Sequence, residues 1–341
     1  MLLFDHHLCM RTALALTAML KFLCSWDETI SISNFRILSP PHRLSNTSEN
    51  SVPSNGSPSE EMKGTSETTG SKVEKPPSSS PLYDQLGEGY TQTRHADPRM
   101  ANALLRELKL PTPSIIADVG AGTGNYARSL AAAGYEVVAV EPSEVMAGQA
   151  GQHDSVRWVR GEAEAIPLED GAVDGVVCVL AFHHFGDSEK AAQEMVRISG
   201  GGTIVIFTFD PRTIEAESPW FAHYFPGAWD ATYRFFPPLE DVAGLFRSAG
   251  NEAVETTTFP LPHDLRDAFA GAAWRSPELY LKPEVRAGIS SFRLADPAEV
   301  ESGVAQLEDD LKSGRWDEQF GELRERTTAD VGYRLITSRR R

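Results

Sequence analysis

From residue 114 onward, short runs of apolar residues alternate with longer amphipathic stretches. The runs Ser114–Val119, Tyr135–Val140, Val156–Val159, Val173–Leu180 and Thr203–Phe209 are rich in β-branched residues, as buried parallel strands are. Helical patterns separate them at Asn125–Ala133, about Ser143–Gly148 and Ser188–Ile198. This alternation predicts an α/β architecture with a doubly wound, mostly parallel sheet. A helix over Leu239–Ala249 then leads to a sixth strand near Ala253–Phe259, and Val331–Thr337 alternates like a closing seventh. Between these last two strands lie residues 261–330, with helical patterns and a portion rich in Pro and aromatics. They are expected to form a helical insertion, read either as structural decoration or as a lid over substrate.

The first 80 residues follow no such pattern. In residues 45–80 only Val52, Met62 and Val73 are apolar, a composition that cannot offset the entropy of ordering, so disorder is expected there. The apolar run Thr12–Cys24 contains Lys21 and is too short to span a bilayer. It reads either as part of a targeting segment for an organelle or as an extension without a targeting role; otherwise a cytoplasmic protein with no stable membrane insertion is expected. Asn46 and Asn55 fit glycosylation acceptors, which matter only in a secreted chain. The expected organisation is an extension over 1–80 followed by one catalytic domain over 81–341.

Charge and cysteine content narrow the chemistry. The net charge is −16, and all but −1 of it falls on residues 81–341. So acidic a domain repels a phosphate backbone, which argues against nucleic acid and for a small-molecule substrate. Of the three cysteines, Cys9 and Cys24 lie in the extension and Cys178 in an apolar strand, so the folded part has no disulfide framework or metal-binding cluster. No bound metal is expected.

The segment Asp118-Val119-Gly120-Ala121-Gly122-Thr123-Gly124 joins the first strand to a helix. Glycines at that spacing permit a tight turn and close approach of a ligand to the backbone, and the helix N-terminus suits a polar or anionic group. A nucleotide-like cofactor is implied. Dinucleotide sites prefer G-x-G-x-x-G, whereas here the third glycine comes one residue early and an acidic residue precedes the first. A carboxylate there would repel a pyrophosphate but suits an ammonium. Glu141 ends the second strand, before Pro142, where a carboxylate can accept two ribose hydroxyls in either cofactor class.

The glycine turn resembles the first motif of class I S-adenosylmethionine-dependent methyltransferases. Gly161-Glu162-Ala163-Glu164-Ala165-Ile166-Pro167-Leu168-Glu169-Asp170-Gly171-Ala172-Val173-Asp174 is similar to a stretch found in the type 11 subgroup, which includes the ubiquinone and menaquinone biosynthesis enzymes. The resemblance covers residues 81–260 and implies a seven-stranded Rossmann-like sheet, S-adenosylmethionine as cofactor and methyl transfer to a small organic acceptor at O, N or C. It implies that Glu162 accepts from the adenine amino group, that the Ala163 N–H meets the neighbouring ring nitrogen, and that Pro142 adjoins the ribose site. It also implies that an N-terminal helix folds over the cofactor, with Tyr90 on its methionine portion and Arg94 on its carboxylate. His183 and His184, after the fourth strand, would lie beside the transferred methyl group, either as bases or as walls of the pocket. Aromatic-rich stretches suggest an apolar acceptor site built from His223, Tyr224 and Trp274, together with Trp220, Phe225 and Tyr280. A nicotinamide-dependent oxidoreductase and a non-catalytic cofactor-binding scaffold remain as rival readings.

Overall fold

The computed structural model describes residues 93–214 and 219–340; the expectations placed on residues 1–80 and on Tyr90 lie outside them. Helix α1 (Pro98–Leu108) precedes β1 (Ile115–Val119), α2 (Asn125–Ala132), β2 (Glu136–Val140), α3 (Glu144–Gly148) and β3 (Val156–Val159). Then come β4 (Gly175–Val179), α4 (Ser188–Ser199) and β5 (Thr203–Phe209). Next in order are α5 (Pro219–Tyr224), α6 (Pro226–Phe235), α7 (Leu239–Ser248) and β6 (Ala253–Thr258). A short pair, β7 (Leu261–Pro262) and β8 (Thr328–Ala329), brackets α8 (Pro283–Ala287), α9 (Ser290–Leu294), α10 (Pro297–Ser313) and α11 (Arg315–Phe320); β9 (Tyr333–Arg339) ends the sheet.

The seven strands run in the order β3-β2-β1-β4-β5-β9-β6. The first five are parallel, and β9 lies antiparallel between β5 and β6. This is the doubly wound α/β sheet that the sequence pattern predicts. Side chains of β1 alternate between the two faces: Ile116 joins a core with α1 and α2, while Ala117 and Val119 join one with α4 and α7. Both faces are covered by helices, which explains why the strands read as continuous apolar runs. The chain direction reverses in sheet order between β1 and β4, and a crevice opens at the carboxyl ends of the strands there.

The insertion expected over 261–330 does contain helices, α8 to α11, but it does not stand alone. Helices α5 and α6, which follow β5, pack with it, so the cap is assembled from two chain segments. Large aromatics fill the seam: Trp220, Tyr224, Phe225, Tyr280 and Trp316 are fully buried. The Trp220 indole donates to the Trp274 carbonyl at 3.0 Å, and the Tyr224 hydroxyl to Asp310 at 2.8 Å. These pairings satisfy polar tips that burial would otherwise leave unpaired.

Gly303 of α10 is where the two segments come nearest. A Cβ there would stand 2.0 Å from the Tyr224 carbonyl oxygen and 2.9 Å from Phe225 Cδ1. Gly303→Ala gains about 1 kcal/mol of helix propensity but overpacks the seam at a cost of about 1–3 kcal/mol. With a backbone oxygen as the obstacle, the clash wins. Thermal melting should show a lowered Tm for Gly303→Ala, and a raised Tm would contradict this close approach.

Candidate functional site

The crevice is a cleft of about 1090 Å³, counted out to its open mouth, walled by the turns after β1, β2 and β4 and by the segment 161–164. The turn after β1 is anchored by the N–H groups of Gly120 and Ala121, which donate to the Val140 carbonyl at 2.9 and 3.1 Å. Gly120 has φ +75°, and a Cβ on it would stand 2.6 Å from Ala181 Cβ, so the turn can touch the loop after β4 only with glycine here. At Gly122, φ +56°, a Cβ would meet nothing nearer than Met146 Cε at 3.5 Å. Here bare backbone faces the cleft. Gly124 stands behind the wall, turning the chain into α2, with Trp158 against it.

Glu141 follows β2 and is 8% exposed on the cleft wall. Its two carboxylate oxygens accept the backbone N–H groups of Gly122, at 2.8 Å, and Ser143, at 3.0 Å. One side chain thus ties the turn after β1 to the turn after β2 and is fixed in orientation by both.

Asp118 departs from its expected position. Its carboxyl is buried under the glycine turn, off the cleft wall, and accepts from the Ala127 backbone in the first turns of α2. Burial, with the nearby Glu141 charge adding to it, pushes this carboxyl up to about 7. An aspartate that does line the cleft, along with Glu141, Glu162 and Glu164, is Asp267, from the cap. It pairs with Arg94 and accepts the Tyr126 hydroxyl at 3.2 Å. The Arg94 carbonyl in turn accepts the Asn125 side-chain amide at 2.9 Å. Further bonds lace the segment 93–99 to the cap segment 264–268: Ala268 N–H to the Thr93 carbonyl, Arg266 N–H to Asp97, and Arg99 to Asp264. Asp267 belongs to no motif, and no sequence signal marks it.

Elsewhere on the cleft lining, Glu162 is exposed next to the buried Ala163. Their segment is held from behind by Arg197 of α4. Its guanidinium donates to the Leu168 and Ile166 carbonyls at 2.7 and 2.9 Å and to Glu194 at 2.7 and 2.8 Å. Glu194 accepts the Ile166 N–H at 2.8 Å. The bond from Arg197 holds the Glu194 carboxyl below the usual range.

His183 and His184 sit on a single 3-10 turn after β4. The His183 ring is buried, with centroids 3.9 Å from Phe236 and 4.9 Å from Phe235. His184 is half-buried and lines two spaces at once, the cleft and a second cavity of about 600 Å³. Phe235, Phe236, Phe269 and Tyr333 wall that second cavity, and Arg94 and Leu180 join His184 at the boundary. Leu180 has φ +51°, a strained conformation for a residue with a branched side chain, located where the two spaces meet.

The structure therefore brings Arg94, Gly120, Ala121, Gly122, Glu141, Pro142, Glu162 and Ala163 around one cleft with His184, while His183 lines the second cavity. His223, Tyr224 and Trp274 are not among them. Tyr224 and Trp274 are buried in the cap seam, and His223 is exposed beside Gln306. Their aromatic character serves cap packing, and the rings that line the second cavity are instead Phe235, Phe236, Phe269 and Tyr333. Asp210 is buried, caps the turn after β5 and pairs with Arg212 at 3.0 Å. Among the described residues no helix is long and apolar enough to cross a membrane.

The raised Asp118 pKa fixes the sign of a pH effect. The folded carboxyl keeps its proton up to about pH 7, whereas the unfolded one loses it near 3.8. The stability tied to that proton is full below 3.8 and is lost as pH rises through 7. Asp118→Asn does not titrate, so in ligand-free protein its Tm relative to the parent should climb between pH 4 and 7 and level off above. A flat difference across that window would contradict the buried, protonated carboxyl.

Comparison with known proteins agrees with this geometry. A family model described as a methyltransferase domain matches residues 117–207. The chain is 32% identical over 180 residues to a demethylmenaquinone methyltransferase of Thermus thermophilus, covering 48% of this chain and 74% of that one. It is 31% identical over 163 residues to a ubiquinone/menaquinone biosynthesis C-methyltransferase of Rubrivivax gelatinosus, covering 41% and 63%. A crystal structure from Anabaena variabilis, described as a methyltransferase from an antibiotic biosynthesis pathway, is 49% identical with a TM-score of 0.69. That match spans 72% of this chain and 99% of the other. The chain belongs to the class I S-adenosylmethionine-dependent methyltransferases of the type 11 family, and its cofactor is S-adenosylmethionine.

Proposed function

We propose that this enzyme methylates a small organic acceptor held in the second cavity, with the cofactor in the cleft. The observation that supports this reading best is that the two spaces meet at Leu180 and His184. The cleft suits S-adenosylmethionine: bare backbone faces it at Gly122, Glu141 is fixed on its wall, and Glu162 and Ala163 line it as well. In this reading Glu141 takes the ribose hydroxyls beside Pro142, Glu162 the adenine amino group and the Ala163 N–H the ring nitrogen. Arg94 and Asp267 take the carboxylate and ammonium of the methionine portion, and Asp118 acts indirectly by holding the turn. When bound, the cofactor supplies a methyl group on a positively charged sulfur, and the leaving group is neutral.

The chain's own contribution is placement and proton transfer. The aromatic walls exclude water and align the acceptor atom in line with the methyl group, which supplies much of the rate. His184, at the boundary, is the base that removes a proton from the acceptor. His183 is packed between Phe235, Phe236 and His184 and positions its neighbour. The acidity of residues 81–341 favours a small molecule over nucleic acid as acceptor.

Calorimetry should show S-adenosylmethionine binding, and labelled methyl should pass to a small molecule in a metabolite extract. Cofactor binding without labelled product in any extract would favour a non-catalytic scaffold. His184→Gln should lower kcat about 10²-fold or more while leaving the cofactor Kd within about threefold. An unchanged kcat would remove His184 from the reaction. Arg197→Ala, which releases the segment behind Glu162, should raise the cofactor Kd about tenfold or more, given five charge-assisted bonds lost, one of them to Asp170. An unaltered Kd would show that the segment holds itself in place.

A further inference from the structure

Helix α2 begins at the glycine turn, and Asn125 and Tyr126, which open it, both line the cleft. Each holds one member of the Arg94–Asp267 pair. The Asn125 amide donates to the Arg94 carbonyl at 2.9 Å, and the Tyr126 hydroxyl to Asp267 Oδ2 at 3.2 Å. Neither bond is needed to form the helix, and both reach segments far away in the chain.

The pair itself is lopsided. Arg94 Nε donates to Asp267 Oδ1, whereas Oδ2 receives Arg94 Nη2 at 3.4 Å, beyond good hydrogen-bond length. Oδ2 is thus the less firmly held oxygen, and Tyr126 is its nearer partner. Asp267 is buried, and a carboxylate removed from water is costly unless its acceptor positions are filled. A cationic donor arriving in the cleft fills one. Where the two meet depends on where Oδ2 is held.

Tyr126 is suited to hold it. Its ring is buried in the core shared with α1, and its hydroxyl lies 3.0 Å from Met100 Sδ, a weak acceptor. Burial, with the Asp267 charge next in size, pushes this hydroxyl well above its ordinary range, so it keeps its proton and donates at neutral pH. A phenylalanine would fill the same core space. The hydroxyl is the part of the side chain that packing does not require.

We infer that Tyr126 is a positioning residue for the cofactor, its hydroxyl holding the Asp267 carboxylate where the ammonium of the methionine portion meets it. This rests on the reading above, which puts the cofactor in the cleft and its ammonium on Asp267. The glycine turn then governs both ends of the cofactor: the nucleoside through Glu141 and the amino-acid end through the helix that the turn opens.

The test is calorimetry on the full chain with three ligands that share one nucleoside. They are S-adenosylhomocysteine, its deaminated analogue, in which a plain butyrate carries the sulfur, and methylthioadenosine, which lacks the amino-acid portion. The parent should bind S-adenosylhomocysteine at least about tenfold more tightly than the deaminated analogue, the effect of one charge-assisted bond. Tyr126→Phe should weaken S-adenosylhomocysteine about fivefold and change the other two by less than about twofold. In an Asp267→Asn background, Tyr126→Phe should cost S-adenosylhomocysteine less than about twofold more, since both substitutions act on one contact. Equal losses for all three ligands in Tyr126→Phe would reduce the residue to a support of the fold and overturn the inference. So would no loss at all, or full additivity with Asp267→Asn. A parent that does not prefer S-adenosylhomocysteine to the deaminated analogue would overturn the inference while the nucleoside site stands. If neither S-adenosylhomocysteine nor methylthioadenosine binds, the underlying reading fails as well.

Discussion

The pair of hydrogen bonds from Gly122 and Ser143 to Glu141 sets the geometry of the site. The glycine turn after β1 and the turn after β2 belong to different strands, and each presents backbone donors that strand pairing leaves unused. Glu141 collects one donor from each and so fixes the relative position of the two walls. The same carboxylate raises the cost of ionising Asp118 beneath the turn. Two carboxyls so close together are compatible with one fold because only the outer one need be charged near neutrality.

The rest of the site is fitted to that frame from outside. Close contact between Gly120 and Ala181 brings the loop after β4 up to the turn, which leaves Leu180 strained and His184 at the junction of two spaces. Strain of this kind persists where the surroundings over-determine the backbone, and here the Leu180 N–H is held by the Phe207 carbonyl at 2.9 Å. Arg197 props the segment 161–168 from one side. From the other, the cap closes through Arg94, Asp267 and Tyr126. Two partly separate spaces suit a reaction between two molecules, and the described residues they share are Arg94, Leu180 and His184.

Local features were legible in the sequence, and features that depend on chain segments meeting were not. The strands could be read because parallel strands buried on both faces are largely apolar; Thr203–Phe209, buried from Ile204 onward, shows this in its observed bounds. The glycine turn, Glu141 and the segment beginning at Gly161 each carry their chemistry in local spacing, and Gly120, Gly122, Glu141, Glu162 and Ala163 all line the cleft. Asp118 is adjacent in sequence to the same turn, yet a strand's alternation puts its carboxyl beneath it, a difference that spacing does not reveal. Asp267 lies in the cap, where position depends on how α5, α6 and the inserted helices dock. Trp274 and Tyr224 illustrate the converse: large aromatics in a cap serve its packing as readily as a ligand, and composition does not separate the two uses.

The central claim is that Glu141, clamped by two turns, orients the nucleoside so that its sulfur end points toward His184. A crystal structure with S-adenosylhomocysteine tests it most directly. Both ribose hydroxyls should lie within about 3 Å of the Glu141 carboxylate, with adenine beside Glu162 and Ala163 and sulfur at the boundary with the second cavity. A nucleoside bound elsewhere, or one lying in the cleft with its sulfur turned away from Leu180 and His184, would contradict it.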